Sequence, residues 1–240
     1  MKTILKWSII VFLGLQISCR SHELNHSVTT AFGRFNYSEN DMNTITDLVH
    51  ACNVHLPQIS KDLNLQINNS VVIELYPSQD EYNRNIMNSD LKNSPAISGN
   101  GKIQIVSPLA KIRSGGLKYE DRLLFLIHEY IHLLIDKLKP EPPIFIDEGI
   151  ACYYSSYDFY MSSTKKYLKQ LNFTPSVEQL VNHYYDLPVP DLFSFLFIDY
   201  IVKSKGKDIL PVLLRQPEIY FSQEVDKNWK SYIQQNYFPD

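Results

Sequence analysis

The stretch Glu120-Asp121-Arg122-Leu123-Leu124-Phe125-Leu126-Ile127-His128-Glu129-Tyr130-Ile131-His132-Leu133-Leu134-Ile135 decides how this chain is read. Two acids open it, where the positive end of a helix dipole favours negative charge, and a strongly apolar run follows. This predicts a core helix that continues to about Leu138 and stops before Pro140, which cannot extend it. Within that apolar run stand two histidines and a glutamate. Burying three such groups without partners is costly, so their presence calls for a compensating ligand or hydrogen-bond network.

His128 and His132 are four residues apart. On a helix this is one turn with about 40° of rotation, so both imidazoles leave the same face at a spacing one metal ion can bridge. Glu129 sits beside them, poorly placed as a third ligand but able to reach a water in an open coordination position and act as general base. A His-Glu-x-x-His sequence arises by chance roughly once in a hundred chains with 7 histidines among 240 residues. A hydrolytic zinc takes three protein ligands and keeps one position open, so another donor is needed. The candidate is Glu148, sixteen residues after His132 and beyond the turn Lys139-Pro140-Glu141-Pro142-Pro143, which lets a second helix fold back against the first. Asp147 as the ligand instead, or both acids as a solvated helix start, are the alternatives. Gly149 and Ala151 keep that helix surface small; Asp136, one turn beyond His132, reads first as a solvated helix-end acid, with orientation of that imidazole as the alternative.

The sequence Pro143-Ile144-Phe145-Ile146-Asp147-Glu148-Gly149-Ile150-Ala151, downstream of His128-Glu129-Tyr130-Ile131-His132, resembles the gluzincin metallopeptidases, in particular the small bacterial peptidase MA-like domains, with Phe145 where tryptophan is usual. The resemblance extends more loosely over residues 70 to 235, including the strand and Ser-x-x-Glu-Tyr segment at Val71 to Tyr82. It implies zinc on His128, His132 and Glu148, Glu129 as base, and a peptide or protein substrate. It further implies that the strand Ile103-Gln104-Ile105-Val106 is the sheet edge along which a peptide lies through main-chain hydrogen bonds. Related enzymes often supply a tyrosine or histidine to the oxyanion near a later helix. Here Pro190-Asp191 stands at that place, and Tyr185, beside His183 and Tyr184, is the nominee.

Lys2 and Lys6, then the apolar run Trp7 to Ile17, have the layout of a secretory signal. Eleven residues at about 1.5 Å each cover only about half of a bilayer core near 30 Å. Leu15-Gln16-Ile17-Ser18-Cys19 resembles a bacterial lipoprotein box, with Gln16 where that pattern prefers leucine. It implies lipidation of Cys19, a membrane attachment and a place in the cell envelope; a plain secretory cut nearby and an uncleaved anchor are the alternatives. Loss of residues 1–18 removes two lysines and no acid, so the exported body is two units more negative than the −3 of the full chain. That charge leaves no electrostatic footprint for a nucleic acid. Cys52 and Cys152 then remain, either as one disulfide or as two separate buried thiols, the second preferred.

Hydrophobic content of 44% and charged content of 20% suit one globular domain. The division expected is signal peptide 1–18, a polar tether 19–30, and a zincin-like domain 31–240. Ile45, Leu48, Val49, Cys52, Leu56 and Ile59 space like an amphipathic helix, broken or kinked near Val54 by Pro57. Val71 to Tyr76 and Ile103 to Val106 read as strands, the second entered through Gly99-Asn100-Gly101. Helices are expected over Ile144 to Tyr157, Val177 to Asn182, Leu192 to Lys203 and Val225 to Tyr237. The fold class is α+β, a small N-terminal sheet with an edge strand followed by the motif helix and a mainly helical half. The activity expected is that of an exported zinc metallopeptidase. A cell-surface binding lipoprotein that keeps the peptidase fold with little turnover is the alternative from another class, and a zinc hydrolase of non-peptide bonds would share the same metal site.

Overall fold

The structure is a computed structural model that describes residues 24–86, 92, 94–110, 117–171 and 173–238. The expected signal peptide and Cys19 lie outside the described residues. The chain is α+β as expected. A five-stranded sheet is built from strands within residues 26–106, with two α-helices between them, and the other α-helices follow.

Strand β1 (His26–Thr30) and strand β2 (Gly33–Tyr37) form a hairpin. Its turn is held by the Thr30 hydroxyl on the Gly33 carbonyl at 3.1 Å, and Gly33 adopts a φ of 136° that side-chain-bearing residues rarely take. The expected tether to residue 30 is therefore too long, because His26 to Thr30 are already paired with β2. Helix α1 (Met42–Leu63) buries Leu48, Cys52, Leu56, Ile59 and Leu63 on one face. It continues through Pro57 and is not split there. Pro57 and Asn53 both lie on the exposed side, so the Asn53 carbonyl left without its helical donor is open to water. The helix ends at Asn64, whose left-handed φ of 51° turns the chain so that the Leu65 N–H reaches the Ser60 carbonyl.

Strand β3 (Val72–Tyr76) is followed by helix α2 (Gln79–Asn85), whose first turn is capped by the Ser78 hydroxyl accepting from the Glu81 N–H. Strands β4 (Ala96–Gly99) and β5 (Lys102–Val106) then pair across Asn100-Gly101, both with positive φ, the backbone a tight two-residue hairpin needs. The sheet order is β1-β2-β3-β5-β4, with β2, β3 and β5 parallel and an antiparallel strand at each edge. This corrects the expected substrate edge. Ile103, Gln104, Ile105 and Val106 lie inside the sheet between β3 and β4, with Ile103 and Ile105 fully buried. An isolated apolar run looks the same at an edge or in the interior; here β4 supplies the missing neighbour.

Helix α3 (Tyr119–Ile135) packs on β4 and β5 and against α1. Helix α4 (Ile144–Ser155) lies between α3 and helix α7 (Pro190–Lys205), and is buried on both sides. Helix α5 (Tyr157–Leu171) and helix α8 (Leu210–Arg215), which the sequence did not announce, and helices α6 (Val177–Asn182) and α9 (Gln223–Tyr237), which it did, complete the described helical half. Cys52 and Cys152 are separate buried thiols, as preferred.

Candidate metal centre

Helices α3 and α4 are antiparallel neighbours. Asp147 stands opposite His132 and, eight residues on, Ser155 stands opposite His128. Between these pairs Glu148 reaches both imidazoles. His128 Nε2 and His132 Nε2 are 3.0 Å apart, and Glu148 Oε2 lies 3.4 Å from the first and 3.6 Å from the second. A tetrahedral site with metal–nitrogen bonds of about 2.0–2.1 Å has edges of about 3.3–3.4 Å, so one ion fits above this triangle. Among the described residues this is the cluster able to hold a metal.

The outer nitrogens determine where the lone pairs point. Ser155 donates its hydroxyl hydrogen to the Ala151 carbonyl at 2.7 Å, so toward His128 Nδ1, at 3.3 Å, it acts as acceptor. His128 then carries its proton on Nδ1 and aims the Nε2 lone pair inward. Asp147 Oδ1 accepts from His132 Nδ1 at 2.8 Å and imposes the same orientation there. Two imidazole lone pairs and a carboxylate oxygen thus converge on one point, an arrangement that requires a cation. Without a metal the proton takes that role. Burial alone would lower the His132 pKa, but the hydrogen bond and charge of Asp147, with Glu148 and Glu129, carry it up to about 9. Burial pushes Glu148 up, yet the imidazoles outweigh it and hold the carboxyl below its usual range.

Asp136 lines the same cavity but is exposed at the end of α3, the solvated acid preferred for it, and the partner that orients His132 is Asp147, next to Glu148. Helix geometry explains this, since Asp136 follows the last turn of α3 whereas Asp147 faces His132 from α4. Gly149 also acts elsewhere than between the motif helices. A Cβ on it would come within 2.6 Å of the Ser194 carbonyl oxygen and 2.7 Å of Ile198, so its smallness serves the contact of α4 with α7.

Glu129 points into a cavity of about 430 Å³ bounded on the other side by Ser94, Ile97 and Ser98 of the edge strand region. Burial raises its pKa, opposed by the neighbouring imidazoles and by a hydrogen bond from Ser98. The β4 residues are the part of the site that the sequence reading missed. Asn100-Gly101 was the available signal, because a tight turn needs a strand on each side. Tyr82 of α2, fully buried, is close enough for the Glu129 charge to add to the burial that raises its own pKa.

Tyr185 does not join this site. It is 80% exposed and absent from the cavity wall, and its ring packs on Tyr184 at 5.2 Å. Both occupy one 3₁₀ turn, where neighbouring side chains diverge by about 120°, so burying Tyr184 turns Tyr185 outward. Tyr184 is the anchored one, donating to Asp191 Oδ1 at 2.5 Å. In comparisons with known proteins, the chain matches no protein-family model and no curated protein.

Proposed function

We propose that this chain is an exported zinc-dependent metallopeptidase of gluzincin type with a zincin-like fold, held at a membrane by lipid on Cys19. The observation that carries this reading is the convergence of His128 Nε2, His132 Nε2 and Glu148 Oε2 within 3.6 Å, each imidazole fixed from behind, with Glu129 one residue from the first ligand. The donor set of two imidazoles and one carboxylate suits zinc and leaves a coordination position free. When bound, zinc would supply the Lewis acidity that activates a water and polarises the scissile carbonyl.

The protein's own groups supply the rest. Glu129, withdrawn from bulk solvent yet facing the cavity, takes a proton from the attacking water and returns it to the leaving amine. Its raised pKa suits both steps, because a carboxylate that holds its proton more tightly is the better base. Strand β4, paired on one side only among the described residues, offers backbone N–H and C=O groups to an extended peptide beside Ser98 and Glu129.

The purified chain is expected to carry about one zinc, lost in His128→Ala and His132→Ala, by elemental analysis. Glu129→Gln leaves the three ligands in place, so zinc content and thermal stability stay near wild type while hydrolysis of a peptide library falls by at least about 100-fold. One observation favours the alternative of a binding lipoprotein with little turnover. Among the described residues of the cavity wall there is no tyrosine, lysine or arginine to meet an oxyanion. Zinc-loaded wild type that cleaves nothing would support that alternative, and equal cleavage by Glu129→Gln would remove the base from the mechanism.

A further inference from the structure

A cavity of about 180 Å³ opens between α5 and the start of α7. It shares no lining residue with the metal-centre cavity and stands apart from the proposed reaction. Three aromatic side chains line it, Phe159, Tyr160 and Tyr167. Tyr160 and Tyr167 are seven residues apart, two turns along one face of α5. Phe159 and Tyr160 meet nearly edge to face, with ring centroids 5.5 Å apart at 77°, so they form a corner rather than a stack. Tyr160 is fixed in that pose, because its ring stacks on Phe195 at 5.1 Å and its hydroxyl accepts from the Cys152 thiol at 3.5 Å. Phe159 and Tyr167, by contrast, are 47% and 42% exposed. An occupant that covers these rings removes apolar surface from water, which is favourable.

One charge accompanies the rings. Asp191 lines the cavity from the first turn of α7, where the helix dipole favours an anion. Among the described residues the Tyr184 hydroxyl holds it at 2.5 Å, and no lysine or arginine pairs with it. Val189, Pro190 and Leu192 complete the wall, which contains no cationic side chain. Lys166 precedes Tyr167 in the chain but is exposed and outside the wall. Aromatic faces and a carboxylate both attract a cation. The kind of cation follows from the acceptors. A primary ammonium carries three N–H donors, each of which needs an acceptor once water is displaced. The lining side chains offer the Asp191 carboxylate, already engaged by Tyr184, and two tyrosine hydroxyls, one of them turned to Cys152. A quaternary ammonium donates no hydrogen bond, and its methyl groups suit aromatic and aliphatic walls. The volume equals that of about six waters at about 30 Å³ each, enough for such a head group.

We propose that this cavity is a binding site for a quaternary ammonium cation, with Phe159, Tyr160 and Tyr167 as its aromatic walls and Asp191 as its counter-charge. A trimethylammonium group can arrive on a free solute or at the end of a phospholipid head group. The wall holds no cation to meet a phosphate, so the free cation is the better ligand. Neither the metal ligands nor Glu129 takes part, and the outcome is independent of the metallopeptidase reading.

The test is a ligand-observed NMR titration of the purified full-length chain with choline, with dimethylbutanol and with ethanolamine. Dimethylbutanol, in which carbon replaces the nitrogen of choline, keeps the shape and lacks the charge; ethanolamine keeps the charge and lacks the methyl groups. Choline is expected to bind at least about tenfold more tightly than either. Asp191→Asn still accepts from Tyr184, so the fold keeps its anchor while choline loses most of its advantage over dimethylbutanol. Tyr167→Leu keeps an apolar wall without an aromatic face, and is expected to weaken choline by about threefold or more while dimethylbutanol changes by less than about twofold. Glycerophosphocholine identifies the source: binding weaker than that of choline marks a free solute, and tighter binding marks a lipid head group. Choline that binds no better than dimethylbutanol, or equally well to wild type and to both variants, overturns the proposal, as does the absence of choline binding at millimolar concentration. Circular dichroism of the two variants, both changed at exposed positions, checks that the fold is retained.

Discussion

His128 and His132 are able to act as ligands because of what stands behind them. Ser155 can only accept from His128, since its own hydrogen is committed to Ala151, and Asp147 can only accept from His132. Removing such a rear partner commonly costs 10–100-fold in metal affinity, so Ser155→Ala is expected to weaken zinc binding by about that factor. Ser155→Thr should restore most of it, which a zinc-chelator competition assay will show. The proton on His132 gives a second expected outcome. Metal-free, its pKa of about 9 keeps it protonated at pH 7, and zinc must displace that proton from Nε2. Calorimetry in buffers of different ionisation enthalpy should find about one proton released from His132 per zinc at pH 7. The count should decline as pH rises through 9, where the proton has already left. In Asp147→Asn the pKa falls toward that of an ordinary imidazole, and the decline should begin at lower pH.

Helix α4 is the element that turns two histidines into a candidate metal centre. It presents Asp147, Glu148 and Ser155 to α3 while its other side packs on α7 through Gly149. Gly149→Ala places a methyl within 2.6 Å of the Ser194 carbonyl oxygen, so the two helices must separate. A loss of about 1–3 kcal/mol is expected in urea unfolding, together with weaker zinc binding as Glu148 shifts. The motif helix and the Glu148 helix were both legible beforehand, from an apolar run, an i,i+4 histidine pair and a proline-rich turn. Strand β4 was not. Ala96-Ile97-Ser98-Gly99 is short, weakly apolar and ends in glycine, so little in it signals a strand until β5 pairs with it.

The whole molecule holds this centre between a sheet and a helical layer that close on one another at buried acids. Asp41, which accepts from the Ser38 and Ser107 hydroxyls, ties the start of α1 to the end of β5. Asp199 of α7, almost fully buried, accepts from Tyr232 at 2.7 Å, Tyr157 at 3.2 Å and Lys203 at 2.8 Å, joining α5, α7 and α9. Asp199→Ala strips an acceptor from several of these donors at once and is expected to cost about 3 kcal/mol, with Asp199→Asn milder, in urea unfolding. At the same scale, the proposed lipid at Cys19 would set location. No helix among the described residues is long and apolar enough to cross a membrane. With lipid on Cys19 as the anchor, Cys19→Ala is expected to move the chain from the membrane fraction to the soluble or unprocessed pool, as fractionation and N-terminal mass will report.

By itself the sequence determined the α+β class, the amphipathic face of α1, the motif helix and the candidacy of His128, His132, Glu129 and Glu148. Each follows from local spacing, and helical periodicity converts spacing directly into a shared face. It could not choose among Asp136, Asp147 and Ser155 as rear partners, place β5 inside the sheet, keep α1 whole through Pro57, or turn Tyr185 away from the centre. Those outcomes depend on which groups meet across elements far apart in the chain. Only tertiary packing settles them, because the same short pattern is compatible with an edge or a centre, a kink or a solvated carbonyl, a buried tyrosine or its exposed neighbour.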